Sequence, residues 1–167
     1  MNTFDESIKL VDNIYAEQLK KLPELTVKLN EKFASVRKQE HAVYDILQAI
    51  IAREGGDKVS FKDGGRTCFI TPLEEDRIKI EYQCDFNSTT KLKDAIITKE
   101  EPTVSDDPIE DFDKLSREFT DLERYAAVVD LAQKVIDAYV SYQNSLSNYR
   151  TTLVEKIMGE KDEESYW

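Results

Sequence analysis

Apolar residues recur at a strict interval of seven through the first third of the chain: Ile8, Tyr15, Leu22, Leu29, Val36, Val43 and Ile50. A seven-residue apolar period marks a helix packed along a straight seam. With Ile8 at heptad position a, position d reads Val11, Gln18, Leu25, Lys32, Gln39, Ile46 and Arg53, which is half polar, and position e adds Leu19, Phe33 and Leu47. A stripe that drifts between a/d and a/e suits a helix packed on more than one neighbour. Pro23 interrupts the run, and a proline inside a helix costs about 3 kcal/mol. The phase passes Pro23 unchanged. The spacing therefore predicts a helix over 4–54, kinked near 23 or split into two abutting helices with one shared seam. Gly55-Gly56 ends it in the manner of a helix C-terminus.

The period then changes to two. Val59 and Phe61 alternate, Asp63-Gly64-Gly65 is a tight turn, and Arg66 to Thr71 reads as a second strand. Pro72 to Asp76 turns again. Ile78, Ile80, Tyr82, Cys84 and Phe86 follow at a spacing of two, the clearest strand in the chain. After Asn87-Ser88-Thr89-Thr90, the stretch 91–99 reads as a fourth strand through Ile96-Ile97-Thr98, with a short helix as the alternative. All strands fall within 57–99. Residues 100–107 form an acidic linker. Asp107-Pro108-Ile109-Glu110 is a helix start, with Asp at N-cap, Pro at N1 and Glu at N3. A second long seam runs through Phe112, Leu115, Phe119 and Leu122. It continues through Tyr125, Val128, Ala132, Val135, Tyr139, Tyr142, Leu146, Tyr149 and Leu153. It predicts a helix over 108–158, followed by a flexible acidic tail at 160–167.

Two long helices of matching length around a small sheet predict an α+β, mainly α fold. The expected architecture is two long antiparallel helices, a helical hairpin, capped by a small antiparallel β-meander of three to four strands. All of it lies in one domain, 1–159. This layout resembles the prefoldin subunits in element order and length over about residues 4–157. The resemblance implies a chaperone-like or adaptor role.

Charge sharpens the picture. The formal net charge is -11. Residues 100–167 hold seven basic and seventeen acidic side chains, for -10, while the rest is nearly balanced. A direct phosphate-binding surface on the last third is therefore not expected. No apolar run approaches the ~20 residues of a membrane span. The N-terminus has neither the basic nor the apolar part of a secretory signal, so a cytoplasmic location is expected.

The candidate chemistry is thin. His41, the one histidine, sits at heptad position f, facing solvent, without a sequence-local acid or nucleophile. Cys68 and Cys84 lie on neighbouring strands but offset from direct opposition, so both read as structural thiols. One histidine and two separated cysteines are too few soft ligands for zinc, and no calcium loop or phosphate-cradling glycine motif occurs. No catalytic, cofactor-binding or metal-binding residue is assigned, and the chain is expected not to be an enzyme. The tyrosine row at 125, 139, 142 and 149 should meet the half-polar d row of the first helix.

The expected function is protein binding, by a chaperone-like or adaptor subunit acting through its helix tips or a sheet edge. The candidate tip residues are Phe4, Ile8, Val11, Tyr149, Leu153 and Ile157, which the hairpin would place together away from the sheet. The alternative is an acidic inhibitor of DNA-mimic or phage counter-defence type, blocking a nucleic-acid-acting enzyme. It would use Asp106, Asp107, Glu110, Asp111 and Asp113 against a basic nucleic-acid-binding protein. The expected partner is thus a protein, without direct nucleic-acid or membrane binding, and the first reading allows a homo-oligomer formed through the sheet.

Overall fold

The structure, a computed structural model, describes residues 3–84, 92–100 and 108–165. The chain forms helices α1 (Thr3–Leu19) and α2 (Leu22–Arg53). Strands β1 (Val59–Asp63), β2 (Arg66–Leu73), β3 (Arg77–Cys84) and β4 (Lys93–Thr98) follow, and then helix α3 (Phe112–Ser165). Phe86, the 87–90 break, and Asp106 and Asp107 lie outside the described residues.

The first helical run is split rather than kinked at the proline. The break falls at Lys20-Lys21, and Pro23 sits in the first turn of α2. There its missing N–H is one of the helix's unpaired donors and its fixed φ suits the entry. At the other end Gly55 and Gly56 adopt φ of 107° and 89°. Gly55 N–H bonds Ala52 O and Gly56 N–H bonds Ile51 O, closing a Schellman motif over the last carbonyls.

The four strands make one antiparallel meander in the order β1-β2-β3-β4. Residues 91–99 thus supply a strand, not a helix. β2 and β3 pair Ile70 with Ile80 and Leu73 with Arg77. Cys68 faces Tyr82, and Cys84 faces Arg66, so both thiols are free. One sheet face is apolar and buried: Val59, Phe61, Cys68, Ile70, Ile78, Ile80 and Ile97. Against it lie Val43, Tyr44, Leu47, Ile50 and Ile51 of α2 and Val129, Ala132, Val135, Ile136 and Tyr139 of α3. The result is two layers, a helix pair on a sheet. A smaller cluster of Leu29, Ile109 and Leu122 joins the first halves of α2 and α3, beyond the sheet.

The long helices do not form the expected antiparallel hairpin. Tyr125 bonds Glu40 and Tyr139 bonds Glu54, each pair 85 residues apart. A constant separation means that α2 and α3 run parallel. The cause is the return path between sheet and α3. Lys99 Nζ lies 3.7 Å from Asp45, whereas Ile109 packs with Leu29. Between them the chain steps back along α2 by roughly 24 Å at 1.5 Å per residue. α3 then starts beside the start of α2. The prefoldin-like layout fails for the same reason.

α3 begins at Phe112, four residues later than the Asp107 cap requires. Asp111 is the actual cap: its Oδ1 accepts the Lys114 N–H at 2.7 Å. The helical conformation continues through Gly159 to Ser165. Among the described residues no helix is long and apolar enough to cross a membrane.

Candidate functional site

Three features stand out from the structural core: two uncovered helical stripes and one buried polar cluster. No residue of α1 is buried. Its Phe4, Ile8, Val11 and Tyr15 keep the 4-3-4 spacing of a seam, yet Phe4 is 70% and Val11 63% exposed. The row that α2 buries at Leu22, Leu29, Val43 and Ile50 is therefore open in α1.

α3 shows the same at its far end. Side chains near Ala138 to Gln143 face the end of α2, where Gln143 bonds Arg53 and Glu54. Beyond Gln143, α3 runs on for roughly 33 Å at 1.5 Å per residue. Leu146 is half-buried, and then Tyr149, Leu153, Val154, Ile157 and Met158 are all exposed. Tyr149 is 66% exposed.

The parallel arrangement separates these stripes. α1 is tethered at the first residue of α2 and reaches at most about 25 Å from it, whereas Tyr149 lies beyond the other end of α2, roughly 48 Å long. Phe4, Ile8 and Val11 are thus not brought together with Tyr149, Leu153 and Ile157, because the tips of parallel helices lie at opposite ends. Glu110, Asp111 and Asp113 stand exposed at the start of α3. Asp111 is spent on capping, and the three acids complement the positive end of the helix dipole.

The tyrosine row meets glutamates at heptad position e, not the d row. Tyr125 donates to Glu40 at 2.8 Å, and Tyr139 donates to Glu54. Burial, reinforced by the Glu54 bond, pushes the Tyr139 hydroxyl up to about 12. Tyr142 stacks on Phe61, with ring centroids 5.5 Å apart. Cys68 is fully buried, and burial pushes its thiol up to about 11, leaving it protonated and inert.

Glu40 is the one buried charged residue among those described. Around it lie the Tyr125 hydroxyl and the charges of His41 and Arg37. His41, expected on the solvent face, is half-buried. Its Nε2 and Arg37 Nε are enclosed without a hydrogen-bond partner. Burial raises the Glu40 pKa above its ordinary value; the Tyr125 bond, the Thr98 backbone and the two cations pull it back only in part. The folded state therefore holds this proton more tightly than the unfolded chain. That contribution is complete below the unfolded pKa and is lost as pH rises through the folded one. Replacing Glu40 by Gln should raise the thermal midpoint at pH 7, with the gain shrinking at acid pH. A gain that grows on acidification would show that the cations outweigh burial.

Among the described residues no three of His, Cys, Asp and Glu converge as metal ligands. Comparison with protein-family models, with curated proteins and with solved structures finds no match to this chain.

Proposed function

We propose that this chain is a non-enzymatic protein-binding module whose capturing surface is the projecting half of α3. The observation that supports this is the apolar stripe of Tyr149, Leu153 and Ile157 on a helix that has outrun its neighbours. An isolated amphipathic helix gains little in water and is stabilised by covering its apolar face. Contiguous exposed apolar surface of this kind marks interaction sites. The sheet and the α2 pairing hold the root of α3, so the free half is presented from a rigid base. The partner face suited to it is an apolar groove that accepts a helix, read at steps of three and four.

The test is affinity capture from native lysate at low and high salt, using the full chain and a chain stopped after Asn148, which keeps Leu146. The shortened chain keeps Tyr139 and Tyr142 and should unfold at the same midpoint. It should lose the partner, while the full chain retains it at both salt concentrations. Equal retention by the two chains would overturn the reading. Retention by the full chain that collapses at high salt would transfer the role to charge.

A further inference from the structure

Between the first halves of α2 and α3 lies an open groove of about 470 Å³. Leu25, Leu29, Phe112 and Phe119 line it together with Lys32 and with Lys28, which also pairs with Glu24 at 3.3 Å. The sheet does not reach this part of the helix pair, which packs through the Leu29, Ile109 and Leu122 cluster with Phe33, Val36 and Leu115 against it. Phe119 is left 45% exposed. A two-helix layer with an apolar cleft lined in part by lysines accepts a third helix that is apolar on one face and acidic beside it.

α1 has that composition. It carries the Phe4, Ile8, Val11 and Tyr15 stripe. Its charges are Asp5, Glu6, Asp12 and Glu17 against Lys9, a net -3. Asp5 and Asp12 share one flank of the stripe, seven residues apart. α1 does not turn back toward the groove of its own chain. Lys21 is in the right-handed helical region, with φ -84° and ψ -14°. Lys21 N–H bonds Gln18 O in a turn and Leu25 N–H bonds Lys21 O, so the helical ladder is interrupted at the junction and α2 starts anew. No residue of α1 is buried and none lines the groove, so α1 leaves the groove of its own chain uncovered.

We propose that the groove is filled by α1 of a second copy of this chain. A two-fold axis near Lys20-Lys21 makes the exchange reciprocal: each α1 enters the other's groove antiparallel to α2, and the contact closes at two copies. A stable interface takes about 800 Å² per partner, and in this exchange each protomer contributes both its α1 stripe and its groove lining. A short hinge of two residues between helices favours such an exchange. The arrangement leaves both α3 projections free at the far ends of the dimer. It goes beyond the proposed capture by α3 and does not depend on it.

Size-exclusion chromatography with light scattering on the full chain should give twice 19.3 kDa. The Ile8→Asp/Val11→Asp variant should run at the single mass, with a dimer dissociation constant raised at least 100-fold. In a mixture of single variants Val11→Cys and Lys32→Cys, oxidation should join two different chains. A full chain of single mass would overturn the proposal. So would a dimer indifferent to Ile8→Asp/Val11→Asp. A Val11→Cys/Lys32→Cys chain that oxidises at single mass would show α1 folded into its own groove and would also overturn it. The Tyr149→Ser/Leu153→Ser variant should remain dimeric, so loss of partner capture and loss of dimer are read separately.

Discussion

Replacing Ile80 by Ala is expected to cost about 2–5 kcal/mol, the usual range for truncating a closed apolar site. Domains of this kind hold about 5–15 kcal/mol in total, so the change takes a large share of the stability. Ile80 is 0% exposed, sits between Ile70 of β2 and Ala95 of β4, and faces the helix pair. Removing three carbons there leaves a void between two rigid layers, and neither layer can close on it without moving a paired strand. Ile96 is the control. It lies on β4 opposite Lys79, on the other face of the same sheet, and is 47% exposed. Ile96→Ala should stay within about 0.5 kcal/mol, as exposed substitutions do. Urea unfolding of both variants measures the difference. Equal costs at the two positions would contradict a single buried sheet face.

The same contrast explains what the chain made legible. Alternation placed Ile78 and Ile80 on one face because a strand's side chains alternate by geometry, and burial follows the alternation. Heptad spacing located the long helices for a similar reason. It could not give their relative direction: a seam of Leu22, Leu29, Val36 and Val43 reads the same to a parallel or an antiparallel neighbour. Direction was set by where the 99–111 connection returns the chain, and two helical runs of matching length favoured the wrong answer. The spacing of Glu40 and Glu54 against Tyr125 and Tyr139 was a signal of pairing only. Both acids and both tyrosines are fourteen residues apart, which matches them as partners but leaves direction open, since Glu40 with Tyr139 and Glu54 with Tyr125 would suit an antiparallel pair equally. Periodicity also could not separate a seam that is covered from one that is open. Ile8 and Tyr15 obey the same rule as Leu22 and Leu29, and only the extent of the sheet and of α3 decides which half is buried.

Serine substitutions along the end of α3 are expected to have the largest effect on partner capture. Tyr149→Ser alone should cost about 2 kcal/mol of binding, roughly a 30-fold loss, the range of a central aromatic contact. Adding Leu153→Ser should bring retention below detection, because the two side chains lie one helical turn apart and would share one apolar groove. Neither change touches the core, since both residues are exposed and α2 has already ended. Thermal midpoints should therefore stay within a degree or two. Tyr149→Phe should keep most of the affinity if the ring fills a groove, and lose it if the hydroxyl makes the recognising bond. Arg150→Ser, on a different face of the helix, is the discriminating control. An apolar capture site is nearly indifferent to it. A loss at Arg150 equal to that at Tyr149 would move the recognising chemistry from the stripe to charge, and the proposed surface would fail even though α3 still bound.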